Sequence, residues 1–208
     1  MKTTLFKTIF FLVIFITGTQ NVKGADTLSC SVSMNFYKDL SDTYGNDGSL
    51  FLGDFSLSKS WYGLNMSYGF YQAQSTSMFQ ILIEEIDETF EIPIEEMAIM
   101  KIGSVSGILR PIKKKWIEVD FLIGVAYGKA KNSSFKSVDY IYNIDESKIT
   151  YLSRDYQLIE KDHFGYQVGF NISFFITKKF GLQLNSRIQD LSNGGTFFFV
   201  GSGIIFRL

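Results

Sequence analysis

The stretch that decides the fold is His163-Phe164-Gly165-Tyr166-Gln167-Val168-Gly169-Phe170-Asn171-Ile172-Ser173-Phe174-Phe175-Ile176. Phe164, Tyr166, Val168, Phe170, Ile172, Phe174 and Ile176 fall on one side of an extended chain. Gly165, Gln167, Gly169, Asn171 and Ser173 fall on the other, and only Phe175 is out of phase. Successive side chains of a strand point to opposite faces, so this alternation marks a strand with one apolar and one polar face. An apolar face of this length needs a strand well beyond the usual length of about 5–6 residues in a soluble sheet.

The same alternation recurs on both sides of this segment. Cys30, Val32, Met34 and Phe36 oppose Ser31, Ser33, Asn35 and Tyr37, and Tyr62, Leu64, Met66, Tyr68 and Phe70 oppose Gly63, Asn65, Ser67 and Gly69. Ile117, Val119, Phe121, Ile123, Val125 and Tyr127 oppose Glu118, Asp120, Gly124, Ala126 and Gly128. Phe180, Leu182, Leu184 and Ile188 oppose Gly181, Gln183, Asn185, Arg187 and Gln189. In the segment 196–208, Phe198, Val200, Ile204, Phe206 and Leu208 oppose Gly201, Gly203 and Arg207. Two further strands are less regular. Residues 50–58 set Phe51, Phe55 and Leu57 against Asp54, Ser56 and Ser58. Residues 99–110 leave their faces open, because Lys101 and the pair Ser104/Ser106 fall on opposite sides.

These eight strands are joined alternately by short and long connections. The short ones lie near Lys59–Ser60, Pro111–Lys115 and Thr177–Lys179; the long ones span Asp39–Gly48, Ser75–Ala98 and Lys131–Lys161, with a tight Asn193-Gly194-Gly195 turn last. The expected fold is all-β: an eight-stranded antiparallel up-and-down transmembrane β-barrel, with short turns at a periplasmic rim and protruding extracellular hairpins at the other. A soluble barrel would turn its apolar face inward and show water a surface rich in Lys and Glu. Here the polar faces are mostly Gly, Ser, Asn and Gln, which suit the narrow inside of eight strands. The apolar faces are therefore assigned to lipid. Mean hydropathy is +0.09, as expected when the two faces cancel.

The N-terminal segment reads as a secretory signal peptide. Lys2 and Lys7 precede an apolar run from Ile9 to Ile16, and Val22 and Gly24 stand at −3 and −1 of cleavage before Ala25. The run is too short for a spanning helix, which needs about 20 apolar residues. The expected organisation is a signal peptide over 1–24 and a barrel over 25–208. Removing Lys2, Lys7 and Lys23 leaves 17 basic side chains against 21 acids, a net charge of −4. Such a balance excludes nucleic acid as a partner. Cys30 is the one cysteine, so no internal disulfide forms, and Thr27 stands where a lipoprotein signal carries Leu.

The chain resembles outer-membrane β-barrel proteins of the OmpA/OmpX type, in particular small single-domain porin-family barrels of the Bacteroidetes. The signal peptide, the eight amphipathic strands and the segment Phe197-Phe198-Phe199-Val200-Gly201-Ser202-Gly203-Ile204-Ile205-Phe206-Arg207-Leu208 carry the likeness. It implies the bacterial outer membrane, with its lipids and lipopolysaccharide and the barrel-assembly machinery as partners. Phe206 and Leu208 would be the assembly signal; Leu208 departs from the family's usual terminal aromatic. The resemblance speaks to fold more than to activity.

Three groups of residues bear on function. Asp54, Glu118 and Asp120 can meet Arg187, Arg207 and Lys101 inside the barrel, as a static plug or as a gate whose pairs exchange, since buried charges must be paired. Phe79–Ile83 with Phe90–Ile94, and Asp139–Ile144 with Ile149–Leu152, have the pattern of hairpins above the membrane. The first carries Glu84, Glu85, Asp87, Glu88, Glu91, Glu95 and Glu96, a surface suited to an extracellular protein partner. His163, the single histidine, lies beside Asp162 at the loop end of its strand. It is either a solvated rim residue or part of a rim enzyme acting on lipids. Ser56-Leu57-Ser58-Lys59 matches S-x-x-K but lies across a strand end rather than a helix start. No cofactor or metal site is expected. The leading expectation is a non-enzymatic structural or surface-interaction barrel; a narrow channel and a rim enzyme are the alternatives.

Overall fold

A computed structural model describes residues 28–41, 48–83 and 86–208. The proposed signal peptide over 1–24 lies outside the described residues. The chain forms eight strands: β1 (Ser29–Asp39), β2 (Ser49–Ser58), β3 (Tyr62–Ile83), β4 (Glu88–Lys113), β5 (Ile117–Asn143), β6 (Lys148–Phe175), β7 (Phe180–Leu191) and β8 (Gly195–Arg207). Each pairs antiparallel with the next, and β1 pairs with β8 from Ser31↔Arg207 to Asp39↔Phe199, closing the sheet. Closure leaves no unpaired edge within the barrel wall, which hydrocarbon demands because it offers backbone groups no other partner.

The faces divide as the alternation requires. Phe164, Val168 and Phe174 are exposed on the outside, and Phe170 and Ile172 are half-buried among outward neighbours such as Phe121, 5.1 Å from Phe170. Gln167, Asn171, Glu118 and Arg187 are buried inside. Large exposed apolar side chains on the outside of all eight strands, among them Met34, Phe51, Tyr68, Val105, Ile123, Val168, Leu184 and Phe198, form a belt around the barrel. Soluble monomers seldom expose apolar patches beyond several hundred Å², so this surface is one for lipid.

Strand length separates wall from superstructure. β3 to β6 run to 22, 26, 27 and 28 residues, against 10 to 13 for the other four. Their excess lies at the hairpin end. β3 and β4 are continuous with the expected hairpin, which turns at Asp87 with φ 54°. Residues 131–161, expected as a long connection with a hairpin only near its tip, are instead strand throughout, except for the 144–147 turn. Polar and charged positions in 131–138 and 153–161 hide this, because neither face of a two-stranded ribbon above the membrane has to be apolar. Pro111 falls inside β4, where the β4–β5 register shifts between Leu109 and Ile112, a place that needs no ladder donor from it.

Candidate functional site

The inside of the barrel is layered. Nearest the short turns, Arg110 forms a bidentate pair with Asp120 (Nε–Oδ1 2.6 Å, Nη2–Oδ2 2.9 Å) and donates to Ser58 Oγ at 3.0 Å. Glu118 Oε1 lies 3.4 Å from Arg110 Nη1 and 2.9 Å from Arg207 Nη2. The Arg207 guanidinium stacks 3.3 Å above the Phe175 ring, which explains the one aromatic out of phase in its strand. Two cations meet two carboxylates, so the layer is neutral.

One layer up, Arg187 Nη2 donates to Asp54 Oδ1 at 2.7 Å, and Asn35 Nδ2 donates to the other carboxylate oxygen at 2.6 Å. Arg187 also donates to Ser67 Oγ at 3.2 Å. A chain of neutral groups continues around the wall: Ser67 bonds Ser104, Gln167 Nε2 donates to Ser104 at 2.8 Å, and Gln189 Nε2 donates to Gln167 at 2.8 Å. The bidentate Arg110–Asp120 pair and the single Arg187–Asp54 contact are charge-assisted, the strong kind of hydrogen bond, and pairing is what makes buried charge tolerable.

Toward the hairpins the interior turns apolar. Tyr37, Leu50, Leu52, Tyr71, Phe197 and Phe199 belong to a buried cluster with contributions from every strand except β6. Phe197 and Phe199 stack at 5.6 Å, and Tyr71 meets both edge-on at 5.3 and 5.8 Å. The Tyr71 hydroxyl donates to the buried Asp39 carboxylate at 2.7 Å. Above this cluster the inner faces of the two long hairpins meet. Ile81, Ile83 and Ile92 are buried against Val138, Tyr142 and Leu152, with Phe90 and Tyr142 rings 5.8 Å apart.

Of the residues expected in the lumen network, Asp54, Glu118, Asp120, Arg187 and Arg207 are inside, but in two separate groups rather than one. Lys101 is not among them: it is exposed on the outside of β4. Alternation from Ser104 and Ser106, which are buried, puts Lys101 outward and Arg110 inward. Arg110 is the cation the sequence reading missed, and that same parity was the signal for it. The acidic residues of the first hairpin also divide. Glu84 and Glu85 lie outside the described residues. Asp87, Glu88, Glu91 and Glu95 are exposed, with Gln80 donating to Glu91 at 3.0 Å. Glu96 is engaged: it accepts from the Ser134 hydroxyl at 2.9 Å and the Phe135 backbone at 2.8 Å, just past Met97↔Ser133, where β4 and β5 stop pairing.

His163 is not a solvated rim residue. It is 2% exposed, with Nδ1 3.1 Å from the Ser192 carbonyl and Gly194 packed over its ring. Asp162 points to the opposite face and accepts from the Tyr127 hydroxyl at 2.7 Å, so alternation separates the two rather than pairing them. Ser56 sits on β2 and accepts from Asn65 at 2.9 Å. Phe206 faces outward with its ring 5.1 Å from Phe180, and Leu208, just past β8, donates its backbone N–H to Cys30 at 3.0 Å.

A closed eight-stranded wall with a lipid-facing belt and a filled lumen defines a small membrane β-barrel, and its architecture is that of bacterial outer-membrane proteins. The structure is similar to that of Neisserial surface protein A, with a TM-score of 0.53 at 10% identity, covering 88% of this chain and 99% of that one. A major outer membrane protein from Thermus thermophilus gives 0.49 at 12% identity over 88% of this chain and 100% of that chain. Ail of Yersinia pestis gives 0.45 at 15% identity over 87% and 97%. No family model and no curated protein sequence matches the chain.

Proposed function

We propose that this is a non-enzymatic outer-membrane barrel that uses a sealed transmembrane wall to carry a rigid extracellular platform for surface interaction. The observation that carries the reading is the core shared by the two long hairpins. A two-stranded ribbon is marginal by itself, and here the isoleucines of one are buried against Val138, Tyr142 and Leu152 of the other to hold a fixed shape. Beyond Met97↔Ser133 and Gly165↔Leu191 the hairpins also present unpaired strand edges, which are templates for a partner's strand. The exposed acids Asp87, Glu88, Glu91 and Glu95 favour a basic protein surface. The layered lumen argues against a channel, because the charges are paired below an apolar cluster that reaches across the barrel. A signal peptide would direct the chain to export, and Phe206, with Leu208, would be read by the assembly machinery.

The test replaces residues 75–96 and 134–158 by short turns. The truncated barrel is expected to remain heat-modifiable on gels, while cells displaying it lose adherence to surfaces coated with extracellular-matrix proteins. Unchanged adherence would remove the hairpins from the function. Resolved unit conductance of the intact chain in planar bilayers would instead favour the channel.

A further inference from the structure

Among the described residues the two long hairpins leave four stretches of strand edge unpaired, and three of them are blunted. Beyond Gly165↔Leu191 no described strand lies beside β6, but Lys148, Arg154, Asp155, Glu160, Lys161 and Asp162 run along that edge. Beyond Met97↔Ser133, β4 carries Glu88, Glu91, Pro93, Glu95 and Glu96, and Pro93 has no N–H to donate. The facing edge of β5 carries Lys136 and Asp139 and is broken by the register shift between Phe135 and Ser137. Charges, proline and bulges are the devices by which proteins keep edges from pairing.

The fourth edge has none of them. β3 parts from β2 after Ser49↔Gln72, and from Gln74 to Ile83 it is paired to β4 alone, with no bulge. The stretch Gln74-Ser75-Thr76-Ser77-Met78-Phe79-Gln80-Ile81-Leu82-Ile83 holds no charge and no proline. Met78 is 64% exposed and Leu82 52%. Ile81 and Ile83 anchor the other face in the hairpin core, so the backbone is already held in the extended form that a partner strand needs. A long, unbroken, uncharged edge is a liability unless something covers it.

The outer face of the ribbon says what can pair there. Thr76, Met78, Gln80 and Leu82 stand on β3 opposite Glu95, Pro93, Glu91 and Thr89 of β4, and all are exposed. Apolar side chains thus alternate with neutral polar ones that have a carboxylate directly behind them. We infer that the β3 edge takes one added antiparallel strand, an extended segment that alternates apolar and basic residues on one face. Its apolar side chains cover Leu82 and Met78. Its Lys or Arg side chains, opposite Gln80 and Thr76, reach over β3 to Glu91 and Glu95. Two strand spacings are about 10 Å, a distance that a lysine and a glutamate span end to end. Main-chain hydrogen bonds give such pairing its affinity, and the alternate side chains give its specificity. The inference rests on the surface-platform reading above and names the edge and the partner within it. A second copy in the same membrane does not fit. Its β3 runs the same way, so a twofold axis along the strands sets N–H against N–H at equal height, and it brings the acids of both copies together.

The probe is a fluorescent peptide, Val-Thr-Lys-Thr-Val-Thr-Lys-Thr, whose first residue would stand opposite Leu82 and whose last opposite Ser75. Its anisotropy is followed as the chain, refolded in detergent and checked for heat-modifiability, is added. Wild type is expected to bind it in preference to a scrambled peptide of the same composition and to the form with both lysines replaced by glutamate. Met78→Lys puts a charge on the edge and should lower affinity about ten-fold. Glu91→Gln together with Glu95→Gln should lower it about five-fold, the scale of two exposed ion pairs. Leu158→Lys, on the charged β6 edge, should change nothing. Equal binding of the scrambled peptide, or binding that survives Met78→Lys, would overturn the edge as the site. Equal binding of the glutamate peptide would rule out a basic partner, and wild-type self-association abolished by Met78→Lys would give the edge to a second copy instead. Cells displaying Met78→Lys separate this inference from the platform reading. They are expected to lose adherence to the matrix-coated surfaces; adherence kept by them but lost on removing both hairpins would overturn the edge and leave the platform standing.

Discussion

At the residue scale, the buried ions are held by geometry more than by number. Arg187→Met would leave the Asp54 carboxylate inside the barrel with Asn35 as its main remaining donor. Losing one partner of a buried pair costs about 3–5 kcal/mol, and urea unfolding followed by the heat-modifiable band should show a loss of that order. Adding Asp54→Asn to Arg187→Met removes the stranded charge and should restore most of the stability. A double variant as unstable as the single one would mean that Arg187 matters for its packing against Tyr37, whose ring it faces at 5.4 Å, rather than for its charge. Lys101 behaves oppositely. It is exposed on the outer face, so Lys101→Ala should leave unfolding within a few tenths of a kcal/mol of wild type, as surface substitutions usually do.

At the element scale, the long strands serve two environments in succession. The inner face of β3 passes from Asn65 and Ser67 through Tyr71 to Ile81 and Ile83, from polar lumen to apolar plug to hairpin core. Ile83→Asp places a charge in the contact between the two hairpins and should separate them while the wall stays closed. Added protease should then cut intact cells' barrels within 76–95 or 134–157 several times faster, leaving a heat-modifiable core. Protection equal to wild type would show that the hairpins are rigid without each other. The sequence made the tips of both hairpins legible through their β-branched and aromatic runs. It hid the stems of the second, because 131–138 and 153–161 mix many polar and charged residues with a few apolar ones and show no sustained alternation.

At the scale of the whole molecule, the barrel's position in the bilayer is marked by its tryptophans. The chain has two, and Trp61 and Trp116 lie in the β2–β3 and β4–β5 turns of the same rim. Aromatic rings of this kind favour the membrane–water interface. Depth-dependent quenching by brominated lipids should place both at one interface, with weak quenching from bromines near the chain ends. Maximal quenching at the bilayer centre would contradict the placement of the belt.

What the sequence determined by itself was everything that follows from period two. The number of strands, the side most residues face outside 99–110, the short turns and the lipid-facing surface all rest on alternation, a local property of the backbone that no distant contact can alter. Arg110 was missed, because Lys101 and the pair Ser104/Ser106 set the faces of its strand against each other, although the parity of the two serines carried its position. Tertiary structure decided what meets across the lumen. Whether Asp54 pairs with Arg187 rather than Arg207, and that Phe197 and Phe199 stack with Tyr71 into a plug, both depend on strand register and closure. These bring together residues from opposite ends of the chain, and a pattern read along one strand carries no record of the height at which its neighbours are set.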